Sequence, residues 1–189
     1  MRAKVTVDAM LDAAVRLLKR NGISSVTTNR VAETAGVSIG SVYQYFPNKH
    51  ALFVALHTRH IEQVNDVIRR RIMESGESSL EQLVASLLDG MVETHTADPE
   101  LSELLQSEVP HHSDDSVEFS IRFHEEFCAV LAPHLSALGK RSDIGIRAFV
   151  MANLLEALGH AIMFRRPRGL SLARANLESR KAILAYLTS

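Results

Sequence analysis

Residues 26–52 read Val26-Thr27-Thr28-Asn29-Arg30-Val31-Ala32-Glu33-Thr34-Ala35-Gly36-Val37-Ser38-Ile39-Gly40-Ser41-Val42-Tyr43-Gln44-Tyr45-Phe46-Pro47-Asn48-Lys49-His50-Ala51-Leu52, and their punctuation decides the fold. Thr27 is an N-cap whose hydroxyl can accept the Arg30 backbone N–H, opening a short helix that buries Val31, Ala32 and Ala35 and stops at Gly36. Only Gly36 and Val37 precede a second cap at Ser38, and the helix it opens closes at Phe46, before Pro47. Two short helices joined by so tight a turn form a helix-turn-helix, held together by Val31, Ala35, Val37, Val42 and Phe46. Gly40, Ser41, Gln44 and Tyr45 are left outward on the second of them. None is a carboxylate, as a surface facing phosphate requires. Gly40 costs about 1 kcal/mol of helix stability relative to alanine, yet it lets the backbone approach a partner closely.

Outward from this stretch, helical periodicity dominates and no strand alternation or hairpin is found, so the chain reads as all-α. A helix over about residues 5–20 precedes the motif, with Met10, Ala13, Ala14, Leu17 and Leu18 on one face and Asn21-Gly22 as its left-handed stop. Asn48 caps a long helix reaching about residue 73, followed by a loop over residues 74–79. Five more helices are expected at about residues 79–97, 99–107, 114–138, 143–164 and 171–188. Their breaks are Asp98-Pro99, a Val109-Pro110-His111-His112 loop, Gly139 and Arg166-Pro167-Arg168-Gly169. Pro133 is expected to kink the seventh helix. The chain divides into a helix-turn-helix domain over residues 1–50 and a second helical domain over residues 51–189.

With 189 residues, 46% hydrophobic and 23% charged, the composition excludes a disordered chain, collagen and a coiled-coil rod. Polar residues interrupt every apolar run short of the roughly 18 residues that a membrane span needs. No apolar stretch follows Arg2 and Lys4 as in a signal peptide. Cys128 is the only cysteine, so no internal disulfide can form. A soluble cytoplasmic protein with no membrane partner is expected. The net charge of −1 hides an asymmetry, because residues 1–50 hold seven Lys/Arg against three acids and the remainder fourteen against nineteen. A basic end on an acidic body is expected where one part touches phosphate.

The quoted run, within about residues 5–55, strongly resembles the DNA-binding signature of the TetR/AcrR family of transcriptional regulators. Asn48 stands where the family often has Ser, and His50 where Glu or Asp is common; the cap and the Lys49 position survive both. The resemblance implies nine helices, the last two forming a homodimer interface and the middle ones enclosing a pocket for a small-molecule effector. It implies double-stranded DNA as partner, through a palindromic operator, and usually repression. Residue by residue it assigns Thr27, Thr28, Ser38, Tyr43, Tyr45 and Lys49 to phosphate contacts, and Ile39, Gly40, Ser41 and Gln44 to the groove floor. The chemistry agrees: hydroxyls at helix starts sit where the dipole favours an anion, and Gln can pair bidentately with adenine.

The fourth helix is the element expected to reach both DNA and effector. Its Leu56, His60 and Val64 share a face that can line a pocket with Met91, His95, Leu105, Phe119, Phe123 and Phe127, although such residues at helical spacing also build plain core. Gly145, Ala148, Ala152 and Gly159 form a stripe of small residues, with Phe149, Leu155 and Met163 around it, expected at the dimer interface or else in an intrachain contact. Residues 93–126 carry ten acids and one base, which favours a cationic or neutral effector. No catalytic residue, cofactor or metal is expected. His57 with His60, and His111 with His112, lack further ligands for zinc. Glu125 and Glu126 beside the His124/Cys128 pair oppose a thiolate. The competing reading is a small-molecule-binding helical protein without an operator; an enzyme ranks third.

Overall fold

The computed structural model describes the backbone of residues 2–75, 78–108 and 115–189, and the side chains of residues 3–75, 78–105 and 124–189. All regular structure among them is helical: α1 (Arg2–Asn21), α2 (Thr28–Ala35), α3 (Ile39–Tyr45), α4 (Lys49–Ser75), α5 (Leu80–Ala97), α6 (Pro99–Glu108), α7 (Asp115–Ala137), α8 (Ile144–Phe164) and α9 (Leu172–Thr188). Two 3-10 turns, Ile23–Ser25 and Arg141–Asp143, carry no periodicity and escape a sequence reading. The expected 109–112 loop and the helix start at Asp114 lie outside the described residues. α7 runs on through Pro133.

Side chains that satisfy the first free N–H groups start most of these helices. Thr27 Oγ1 accepts from Arg30 N at 3.3 Å, Ser38 Oγ from Ser41 N at 3.1 Å, Asn48 Oδ1 from Ala51 N at 2.8 Å and Ser171 Oγ from Arg174 N at 3.2 Å. Before α5, Ser79 and Gln82 exchange reciprocal bonds of a capping box. Asp98 caps α6, whose first residue is Pro99. α2 ends at Gly36 with φ 69°, where Val37 N reaches Ala32 O at 3.0 Å, a closure that residues other than glycine rarely adopt.

The chain packs as two compact units. The first gathers α1 to α3, α4 as far as Ile61, and α6. Its core holds Met10, Ala13, Ala14, Leu17 and Leu18 of α1, with Val31, Val42 and Phe46. Leu52, Phe53 and Leu56 of α4 and Leu101, Leu104 and Leu105 of α6 complete it. Packing therefore does not divide at residue 50: α1, α2 and α3 alone expose too much apolar surface for their size, and α4 and α6 cover it.

The second unit holds the rest of α4 with α5, α7, α8 and α9. Its core includes Ile68, Leu83, Leu87, Leu88, Phe127, Leu131, Leu135, Met151, Leu155, Ile183 and Leu187. The stretch Arg141–Phe164, containing α8, is long and apolar enough by length and composition to cross a membrane, its most apolar 18 residues having a mean hydropathy of 1.3. Counting only unbroken apolar runs misses this, because Arg147, Asn153, Glu156 and His160 interrupt it. Its apolar character has a use in this unit, where Ala148, Met151, Leu155 and Ile162 are buried in the core.

Gly159 of α8 lies against α5: a methyl group there would sit 2.9 Å from Met91 Cβ, the rigid root of that side chain. Helix propensity alone favours Gly159→Ala by about 1 kcal/mol, but the overlap outweighs it. Gly159→Ala is expected to lower unfolding stability by roughly 1–2 kcal/mol in urea denaturation at fixed protein concentration. A stabilised variant would contradict the close helix approach.

Candidate nucleic-acid interface

The caps that begin α2 and α3 also decide what their hydroxyls can still do. Thr27 Oγ1 and Ser38 Oγ use lone pairs to accept backbone N–H groups. A hydroxyl that accepts in this way still has its own proton to donate. Thr28 Oγ1 donates to the Tyr43 hydroxyl at 3.3 Å, linking the start of α2 to α3 and leaving the phenol proton to donate in turn. Ser38 Oγ lies 2.8 Å from Ser41 Oγ.

The expected groove-floor residues of α3 are largely at the surface. Gly40 and Gln44 are exposed, Ser41 is half-buried, and Ile39 is 40% exposed despite its size. Tyr43 is 51% exposed, whereas Tyr45 packs its ring against the first core. A Cβ at Gly40 would meet only Ser38 Oγ, at 3.8 Å, so no neighbour within the protein requires glycine there. Lys49 differs from the rest: its ammonium donates to Ile23 O at 3.3 Å and lies 5.0 Å from the Phe53 ring centroid.

The electrostatics extend beyond the α3 face. From Thr34 through Ile61 the chain contains no Asp or Glu, a gap longer than the single helix face read from the motif. Lys4, Arg16, Arg20 and Arg30 are exposed. Lys19 and Arg59 are paired, with Asp98 at 2.8 Å and Asp12 at 2.7 Å. Exposed pairs of this kind contribute little stability.

The nine residues expected to line an effector pocket do not fall in one unit. Leu56 and Leu105 belong to the first core, and His60 lies on the α4 segment of that unit. Val64, Met91 and Phe127 pack in the second core. The reason is that α4 passes from one unit into the other, so a face that is continuous on the helix serves two interiors. The side chains of Phe119 and Phe123 lie outside the described residues. His95 is 6% exposed and meets His160 at 5.8 Å and Phe164 at 5.7 Å, both edge-on. The i, i+4 spacing of His160 and Phe164 on α8 is the signal by which the sequence could have shown them.

The expected dimer stripe also needs correction. Ala148, Leu155 and Gly159 are buried within the chain, so they serve the intrachain contact; α8 turns this side toward its own core. Ala152 and Met163 are half-buried. Gly145 and Phe149 remain exposed, Phe149 at 59%, beside Ile146 at 64%.

Among the described residues, no three His, Cys, Asp or Glu side chains are grouped to hold a metal ion. His111 and His112 lie outside those residues. Cys128 Sγ is 3.5 Å from His124 Nε2, but burial, reinforced by Glu125, pushes the thiol's pKa up. This environment disfavours the nucleophilic thiolate.

Burial holds the His60 imidazole below its ordinary pKa, with repulsion from His57 adding to the shift and Asp98 opposing it. As pH falls below about 6.5 the unfolded chain takes up a proton that folded His60 refuses, so stability declines until the lower folded value is passed. Melting temperature should therefore fall between about pH 6.5 and pH 5.5, and His60→Gln should reduce that fall. An unchanged pH profile in the variant would contradict the burial effect.

The family model described as "Bacterial regulatory proteins, tetR family" matches residues 10–56, and that described as "Tetracyclin repressor-like, C-terminal domain" matches residues 79–187. Nucleoid occlusion factor SlmA of Haemophilus ducreyi is 27% identical over 173 residues, 90% of this chain and 82% of that protein. The HTH-type transcriptional repressor KstR of Rhodococcus jostii is 31% identical over 96 residues, 51% of this chain and 43% of that one. The crystal structure of a TetR-family transcriptional regulator from Streptomyces coelicolor superposes with a TM-score of 0.64 at 26% identity, over 96% of this chain and 97% of the other. A helix-turn-helix under the first model and more than half the chain under the second make this protein a member of the TetR family of DNA-binding transcriptional regulators.

Proposed function

We propose that this TetR-family regulator is a homodimeric repressor that grips a palindromic operator with α3 of each protomer and lets go when a small molecule binds. The observation that carries the reading is the acid-free, solvent-facing α3 surface, flanked by the capping hydroxyls of Thr27 and Ser38. Thr27, Thr28, Ser38, Tyr43 and Tyr45 hold the phosphate backbone, while Ile39, Gly40, Ser41 and Gln44 meet base edges in the major groove. The likeness to KstR, which is named a repressor, supports repression.

Dimerisation falls to the outward face of α8, where Ile146 and Phe149 stand exposed, with Leu177 of α9 at 48%. A second copy covers these side chains and spaces the two α3 helices by about one DNA turn, roughly 34 Å. The effector belongs to the second unit, near His95, and the acidic bias of residues 93–126 favours a cationic or neutral molecule. A thousandfold release of operator needs about 4.1 kcal/mol of preferential effector binding to the DNA-free form.

Duplexes retained by the full-length protein from a randomised pool are expected to share an inverted repeat; sequences without a repeat would contradict a palindromic operator. Gln44→Ala should relax preference at one position per half-site, by about 1–3 kcal/mol. Gly40→Ala should raise unfolding stability by up to about 1 kcal/mol while weakening retention of the same duplexes. Unimpaired binding would remove Gly40 from the groove. Phe149→Arg should sediment as a folded monomer, and a dimer at the same concentration would remove Phe149 from the interface.

A further inference from the structure

The acid-free gap around α3 has a counterpart in the second unit, which is otherwise rich in carboxylates. Residues 157–177 comprise the end of α8, the turn after it and the start of α9; they contain no Asp or Glu and four arginines, Arg165, Arg166, Arg168 and Arg174. Two of the four are engaged within the chain. Arg166 Nε donates to Ile162 O at 3.2 Å and its Nη1 donates to Leu170 O, so this one cation serves the C-terminal end of α8. Arg174 pairs with Glu178 at 3.3 Å, as Arg69 does with Glu126 and Arg180 with Asp89. Arg165 and Arg168 are exposed, and no described carboxylate lies within ion-pair distance of either.

The turn that carries these two arginines is ordered by the chain itself. Leu170 N reaches Pro167 O at 3.2 Å, Gly169 takes φ 91°, and Ser171 Oγ caps α9 by accepting Arg174 N at 3.2 Å. With Arg166 bonded to carbonyls on both sides of the turn, little backbone freedom is left to lose when a partner binds. The turn also lies at a definite end of its unit. His160 and Phe164, in the last two turns of α8, meet His95 near the end of α5, and three residues after His95 the chain enters the first unit at Asp98.

We infer that Arg165 and Arg168 give each protomer a second contact with the sugar-phosphate backbone of the duplex that α3 reads. The inference rests on the DNA-binding reading above. An open, exposed pair of guanidinium groups suits an extended polyanion, whereas a small anion is ordinarily enclosed in a concave site. Two basic residues also fall short of the roughly four to eight that hold a peripheral segment to an acidic lipid surface. Backbone contacts add affinity and carry no sequence information, so these arginines steepen the salt dependence and leave base preference alone. One phosphate per protomer contributes about 1.8 per dimer to the slope of log affinity against log salt.

The experiment measures binding of the full-length protein, between about 50 and 200 mM salt, to a duplex that the wild-type chain enriches from a randomised pool, flanks included. The double variant Arg165→Gln with Arg168→Gln should bind more weakly, with a slope shallower by at least about 1.8, and should enrich the same bases. Replacing both by Lys keeps the charges and should keep the wild-type slope. Arg141→Gln removes an exposed charge at the other end of α8, about 30 Å away along a helix of 21 residues, and should leave the slope unchanged. A smaller change in the double Gln variant, a Lys variant that loses the slope too, or an equal loss in Arg141→Gln would each overturn the inference. An unchanged slope together with lost sedimentation on phosphatidylglycerol vesicles would overturn it in favour of a membrane surface. A wild-type protein that enriches no duplex would overturn the DNA-binding reading itself; enrichment with an unchanged slope in the double variant overturns this inference alone.

Discussion

Helices of eight and seven residues, the lengths of α2 and α3, do not persist alone in water, where nucleation requires about 12 residues or more even in favourable sequences. They exist because Val31, Ala32, Val42 and Phe46 are buried in a core built by α1, α4 and α6. The rest of the DNA-reading unit depends on that burial. It fixes which side of α3 is spent on packing, and hence which side is left for a groove. It also relieves the outward residues of any stabilising duty, so Gly40, Ser41 and Gln44 are free to be poor helix formers or polar.

The same economy governs the hydroxyls. Thr27 and Ser38 satisfy helix N–H groups with their lone pairs, Ser38 and Ser41 share a hydrogen bond between their hydroxyls, and Thr28 turns toward Tyr43. Folding therefore sets the direction of several donors before any partner arrives, which lowers the ordering cost of binding. In the second unit α8 divides its apolar residues in a comparable way. Ala148, Leu155 and Gly159 face inward, Gly159 letting Met91 of α5 come close, while Ile146 and Phe149 face out.

Local chemistry was legible in the sequence wherever one residue type has one dominant use. Thr27, Ser38 and Asn48 as caps, Gly36 as a left-handed stop and Pro99 as a first helical residue all take the positions expected of them. Periodicity likewise picked out the buried face of α1. Less legible were features that depend on which interior a face meets. Leu56, His60 and Val64 share a helix face but not a unit, because α4 crosses from one to the other. The small residues of α8 have the spacing of an interface, and spacing alone does not say whether the neighbour is a helix of the same chain. Lys49 fits a known motif, and only the position of Ile23 O and the Phe53 ring reveals an internal use for its charge.

The central claim is that DNA is read by a preformed surface at the starts of α2 and α3 and along α3. Amide hydrogen exchange on the full-length protein, with and without an enriched duplex, tests it most directly. The account predicts added protection at residues 27–30 and 38–45, with little change in the amides of α8 and α9. Protection that leaves those two segments unaltered and appears elsewhere in the chain would contradict it.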